Sequence, residues 1–156
     1  MLNYLTKLAA HGAWADARLV RAAQHATGDL APVLRELGHI RGAQEIWMSR
    51  ISGRAPTIAV WPALTADELA GLGPTLDTAL LALLGSLSVP DLERVIHYTN
   101  STGTMFHTPL GEVLLHLLTH GQYHRGKANA LLRAAGAEAV NVDVITWLRE
   151  TGQAHD

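Results

Sequence analysis

From Pro109 to Gly136 the chain keeps one pattern: Leu110, Val113, Leu114, Leu117, Gly121, Ala128, Leu131 and Leu132 fall on a single face, at spacings of three and four, or seven from Gly121 to Ala128. That is the period of an α-helix with one buried face. At about 1.5 Å per residue such a helix rises roughly 40 Å, and only partners of similar length can cover its stripe. Three are present. The first runs from about Leu2 to Ala26, with Leu5, Leu8, Gly12, Ala15 and Leu19 along one side. The second starts after Asp29, a good N-cap, and ends near Gly53, a good stop; its stripe is Val33, Leu37, Ile40, Trp47 and Ile51. The third opens on Thr65-Ala66-Asp67-Glu68, the spacing of a capping box, and runs to about Leu87. Pro109 suits the first turn of the fourth helix, and a short fifth helix follows Asn141 and includes Trp147 and Leu148.

The segment between the third and fourth helices departs from this period. Glu93 to Thr99 is rich in β-branched and aromatic residues, Asn100 to Gly103 supplies turn residues, and Thr104 to Thr108 follows, which predicts a β-hairpin. Pro56, Pro62 and Pro90 mark connections, and no internal repeat is visible. The predicted fold is therefore all-α: a four-helix bundle with a small β-hairpin insert between helices 3 and 4, a short C-terminal helix, and one domain over residues 1–156.

Composition narrows the function classes. Aromatic residues are only 5% against 48% hydrophobic, so Leu and Ala must fill the core. The formal net charge is −2 and the Lys and Arg residues are dispersed, which offers no footprint for nucleic acid or an anionic membrane. The longest strongly apolar run, Ala79 to Leu84, is too short to span a bilayer. Lys7, His11, Asp16 and Arg18 within the first helical pattern argue against a signal peptide, and a cytoplasmic location is the default expectation. Cysteine is absent, so any metal must be held by nitrogen and oxygen.

Nine histidines in such a chain direct attention to ligand spacing. His116, His120 and His124 follow one another at intervals of four on the fourth helix. Residues four apart on a helix stand about 5–6 Å apart at Cβ, and two imidazoles so placed can share one ion at about 2.0–2.1 Å. Each residue advances about 100° around the axis. His124 then falls inside the apolar stripe, His120 at its edge, and His116 toward the flank. A buried imidazole without a partner costs about 1–3 kcal/mol, so His120 and His124 are the better pair. Gly121 beside them leaves space for a ligand or another helix. The natural third ligand is His39, at the edge of the second helix's apolar face, in line with Ala43 and Ile46. Gly38 and Gly42 flank it, each about 1 kcal/mol worse than Ala in a helix interior, and such glycines permit close packing. Three histidines with a fourth position open is the arrangement of a catalytic metal site rather than a closed structural one. His11, His25, His97, His107 and His155 are expected to be surface or hairpin residues.

The stretch from Pro109 to Gly126, with Thr119-His120-Gly121-Gln122-Tyr123-His124-Arg125-Gly126 at its centre, followed by Leu131-Leu132-Arg133 and Gly136, closely resembles the signature of the DinB-like family. His39 with Trp47, Ala13-Trp14-Ala15-Asp16, and Asp143 with Trp147-Leu148 match further elements, so the likeness spans essentially the whole chain. It implies a four-helix bundle whose metal ligands are His39, His120 and His124. Lys127 stands where the family usually has Gln, which alters the rim of the site. Asp16 stands for Asn, and the Pro expected near Val140 is absent; both departures are expected to affect packing only. Arg125 and Lys127 are candidates to bind an anionic group, or else form a solvated face. Asp16 and Glu36 are candidate acceptors for an imidazole N–H, or else surface charges.

Three functions are open to such a site, the first of them implied by the resemblance. One is a thiol-dependent S-transferase, as in related enzymes, using a low-molecular-weight thiol and a small-molecule substrate. Another is a metal-dependent hydrolase, for which no carboxylate base stands out beside the histidines. The remaining one is a non-catalytic metal-binding stress-response protein. Three imidazoles suit several divalent metals, zinc or nickel foremost. A homodimer is expected from the resemblance and from the large apolar Trp14 and Trp61, and duplex DNA is not an expected partner.

Overall fold

The computed structural model describes residues 1–100 and 102–153; His155 lies outside them. Helices α1 (Leu2–His25), α2 (Ala31–Ser52), α3 (Ala66–Ser86) and α4 (Leu110–Ala134) form the bundle, and α5 (Val144–Glu150) closes the described chain. A 3-10 turn, Pro90–Glu93, and strands β1 (Val95–Thr99) and β2 (Met105–Pro109) lie between α3 and α4. The all-α bundle with a hairpin insert and a short last helix is thus the observed fold. α2 packs along α4 and α1 along α3, with α1 also against α4.

The boundaries follow local chemistry. Thr65 and Glu68 complete the capping box of α3, each bonding the other's backbone N–H. Gly53 takes φ +68°, the left-handed conformation that ends α2. Two positions differ by one residue from expectation. Leu30 is the N-cap of α2, while Asp29 accepts from the N–H of Ala31. Pro109 ends β2 and caps α4 rather than lying in its first turn. There it pairs with Val95, and its missing N–H removes no ladder bond. The Pro missing near Val140 is compensated by Asn129, whose side chain bonds both the N–H and the carbonyl of Val140.

The core divides in two. One cluster gathers Leu5, Leu80, Leu84, Leu110, Leu114 and Leu117 near the hairpin end, and the other Leu19, Val33, Leu37, Leu69, Ala128 and Leu132. Helix α3 is long and apolar enough to cross a membrane by length and composition, beyond what the Ala79–Leu84 run suggests. It is also amphipathic: Leu69, Leu76, Leu80 and Leu84 are buried in the bundle.

Candidate metal centre

His39 reaches from α2, and His120 and His124 from successive turns of α4. One ring nitrogen from each lies within 4.8 Å of the other two. The Nε2 atoms of His39 and His120 are 3.2 Å apart. Two nitrogens bound to one tetrahedral ion at about 2.0–2.1 Å would be about 3.3–3.4 Å apart, so the spacing already suits a shared ion. The ring centroids of His124 stand 4.4 Å from those of both His39 and His120.

The orientation of two rings is fixed from behind. His39 donates from Nδ1 to the carbonyl of Val60 at 2.9 Å, and His124 donates from Nδ1 to Glu36 at 2.5 Å. With the proton held on Nδ1, each ring turns its Nε2 lone pair inward, the tautomer a metal ligand needs. Glu36 is therefore the acceptor expected from its position, and Lys127 holds its other oxygen at 2.9 Å. Burial alone would raise the Glu36 carboxyl, but the hydrogen bonds from Lys127 and His124 outweigh it and hold the group below its usual range. Burial lowers His39, and it lowers His120 to about 4, helped by His124, His39 and His116. Both shifts favour the neutral rings of His39 and His120 that can ligate.

The connection after α2 serves this centre. Buried Glu45 anchors its start, binding Arg54 through both carboxylate oxygens and the Thr57 N–H at 2.9 Å, and is lowered to about 2 chiefly by Arg54. The chain then lies directly on α2. A Cβ on Gly42 would stand 2.3 Å from the carbonyl oxygen of Val60, and one on Gly38 2.8 Å from that of Pro62. These glycines admit a loop, which brings Val60 to His39 and stacks Trp61 on the His39 ring at 3.5 Å. Arg35 covers the Trp61 ring at 4.2 Å, Tyr123 stands edge-on to His124 at 5.0 Å, and Lys127 lies 5.6 Å from the Tyr123 ring. Trp61 and Tyr123 remain exposed, so the mouth of the centre is aromatic and cationic. The sequence held a signal for this loop in the Gly38–Gly42 pair, but not for which segment it admits.

Several candidates lie elsewhere. Arg125 is neither an anion binder nor solvated: it is buried and pairs with Asp16 at 2.7 Å. Asp16 accepts from arginines rather than an imidazole, and its departure from Asn adds a charge that Arg125 requires. Arg41 reaches Asp16 at 3.4 Å and binds Asp77 and Gln44, completing a polar waist between the two apolar clusters. Burial would raise the Asp16 carboxyl, yet Arg125 and Arg41 hold it low. Gly12 and Gly73 make room: a Cβ there would stand 2.7 Å and 2.8 Å from the guanidinium groups of Arg125 and Arg41. Gly121 likewise accommodates Arg125 rather than another helix. A cavity of about 20 Å³, room for about one water, joins His120 to Asp16, Gln44 and Arg125. His116 is exposed, its ring 5.4 Å from that of His120. His11, expected at the surface, is buried against Trp147 and donates from Nε2 to the carbonyl of Val142 at 2.7 Å. His25, His97 and His107 are exposed, as expected. Trp14 is half-buried, against His11 and Arg18.

Comparison with known proteins yields one match: the model of the DinB family covers residues 1–154. No curated protein and no solved structure matches the chain.

Proposed function

Because the chain belongs to the DinB family, we propose that His39, His120 and His124 hold one divalent ion, zinc or nickel, and that the protein is a thiol-dependent S-transferase. The observation that carries this reading is the convergence of three imidazoles beneath an exposed aromatic and cationic mouth. A bound ion would supply Lewis acidity, lowering the pKa of a thiol so that thiolate persists at neutral pH. The thiolate sulfur would form a bond to an electrophilic carbon of the substrate as the leaving group departs with its electron pair. The protein's own residues provide the rest. Val60 and Glu36 keep the His39 and His124 lone pairs aimed inward. Arg35 and Lys127 suit the carboxylates of a small peptide-like thiol, and Trp61 and Tyr123 offer flat apolar faces to a substrate.

Hydrolysis is less well supported. Glu36 does stand beside the histidines, but both its oxygens are engaged, one by His124 and one by Lys127, so it orients rather than serves as a free base. Homodimerisation, a cytoplasmic setting and indifference to duplex DNA belong to the same proposal. Cobalt substitution tests it: glutathione, bacillithiol or mycothiol should shift the visible absorption of the cobalt protein. A spectrum that no thiol alters would remove the thiol and favour the hydrolytic or non-catalytic alternatives.

A further inference from the structure

The hairpin carries a second pair of histidines, on elements separate from the bundle centre. The bond from Asn100 N–H to the Thr104 carbonyl and that from Leu110 N–H to the Arg94 carbonyl mark the hydrogen-bonded ends of the β1–β2 ladder. Counting inward by two from either end makes 96↔108 and 98↔106 hydrogen-bonded pairs, and His97↔His107 a non-bonded one. Non-bonded pairs bring side chains closest across an antiparallel ribbon, at about 4.5 Å between Cα atoms. The Nδ1 atoms of the two rings stand 2.5 Å apart, with centroids at 4.5 Å and planes at 74°.

Ile96 and Tyr98 turn the opposite face of β1 to the bundle, Ile96 buried in the core and Tyr98 against Trp47. His97 and His107 therefore look outward, and neither ring has another protein partner among the described residues. Met105 shares their face: it is two residues before His107, diagonal to His97, and 67% exposed. Diagonal neighbours on a sheet lie within reach of long side chains.

We propose that His97 and His107, with Met105 beside them, form a solvent-facing site for one copper ion. Among divalent first-row ions Cu(II) binds imidazole most tightly, and a thioether adds affinity for Cu(I). Two nitrogens at about 2.0 Å from one ion stand about 2.8 Å apart at a right angle and about 3.3 Å apart in a tetrahedron. The exposed rings must open by only a few tenths of an ångström to reach the first value. One ring moves its proton from Nδ1 to Nε2 as both Nδ1 lone pairs turn to the ion. This site has two imidazoles without anchoring acceptors, so it binds more weakly than a three-histidine centre whose rings are held from behind.

The test uses the full chain, loaded with one equivalent of zinc and then titrated with Cu(II) alone. The wild type should end with two metal ions per chain by mass spectrometry. In His39→Ala, whose bundle centre is impaired, the electron paramagnetic resonance spectrum should show copper bound to nitrogen, a signal lost when His97 and His107 are also replaced by Ala. His97→Ala and His107→Ala should each lower the affinity for the second ion at least tenfold, and the double variant should hold one ion per chain. Both positions are exposed, so circular dichroism should be unchanged. Met105→Leu should leave Cu(II) affinity intact and lower Cu(I) affinity about tenfold against a chelator. A wild type saturating at one metal, or a double variant keeping the second copper, would overturn the site. Equal Cu(I) affinity in Met105→Leu would remove Met105 from it. The His39→Ala variant keeps these outcomes apart from the bundle centre, since its hairpin should still take one copper.

Discussion

The polar waist and the histidine centre are neighbours that share helices α2 and α4, yet they resolve burial in opposite ways. In the waist two carboxylates, Asp16 and Asp77, meet two guanidinium groups, Arg41 and Arg125, and Gln44 bonds both Arg41 and Asp77. Charge balances charge, and donors face acceptors. At the centre, ring nitrogens converge: the inward nitrogens of His39 and His124 carry lone pairs because Val60 and Glu36 hold their protons behind, and the Nε2 of His120 stands 3.2 Å from that of His39. A closed polar cluster needs nothing further, and it holds the helices in register. At the centre the inward ring nitrogens meet one another, with lone pairs converging on one point that a bound ion can take, which is the mark of a binding site.

Removing a ligand should have the largest effect and should sharpen the contrast. His124→Ala or His120→Ala should abolish stoichiometric metal binding, and His39→Ala should weaken it severely, as read by metal content after dialysis. Because the centre is not what holds the bundle together, far-ultraviolet circular dichroism of the metal-free variants should match that of the metal-free wild type.

The waist should respond the other way. Arg125→Ala or Asp16→Ala strands a buried opposite charge, and breaking such a pair destabilises by about 3–5 kcal/mol. Urea denaturation of the metal-free protein measures this. Any molecules still folded should bind one metal ion per chain. A folded Asp16→Ala protein of normal stability that no longer binds metal would break the comparison, because the waist would then belong to the centre.

Acid should separate the two regions by pH. His120 is lowered to about 4, and His39 and His11 are lowered below 6.5, burial being the first cause for each. The folded protein keeps these rings neutral where the unfolded chain protonates them. Their stabilisation is complete above about pH 6.5 and is lost as the pH falls through the folded values, about 4 for His120. Asp16 and Glu45 are depressed carboxylates, so theirs is present above the unfolded values, 3.8 and 4.5, and is lost at lower pH, through about 2 for Glu45. Urea midpoints of the metal-free protein should therefore already fall between pH 6.5 and 4.5, and less so in His120→Gln. A flat profile there would contradict the assignment of neutral, buried rings.

The centre was legible because its ligands are histidines in a chain without cysteine and their spacing is helical. Intervals of four put His120 and His124 on one face, the drift around the axis set His116 aside, and the glycines beside His39 signalled a close approach. The waist was not legible, because a charge on an apolar stripe reads as a surface residue until its partner is known, and the partners are far apart in sequence. A signal was nevertheless present. Asp16, Asp77 and Arg125 each follow a glycine by four residues, at Gly12, Gly73 and Gly121. A charged group one turn from a gap on the buried face needs that gap when guanidinium groups must fit between helices. The tie from Val60 to His39 could not be read either, since nothing local in Ala59-Val60-Trp61 says on which helix it rests.

The smallest effect is expected at His116, and it tests how sharply the centre ends. Four residues on a helix turn through about 400°, so each step along the series 124, 120, 116 drifts roughly 40° around the axis. Two such steps carry His116 out of the apolar stripe. Its ring lies against Trp47 at 5.4 Å and at the same distance from His120, on the exposed flank. His120 has His39 as its inward neighbour, so His116 touches the centre only through the outer side of one ligand. His116→Ala should therefore keep about one metal per chain, with affinity lowered by no more than the 10–100-fold typical of groups that support ligands. Stability should stay within about 0.5 kcal/mol, as at most exposed positions. Glu36→Gln provides the scale, because Glu36 fixes the tautomer of a ligand and His116 fixes none; its loss of affinity should be the greater. If His116→Ala emptied the centre while His124→Ala kept its metal, the ion would sit one turn nearer the hairpin, and Glu36 would have no imidazole ligand to orient.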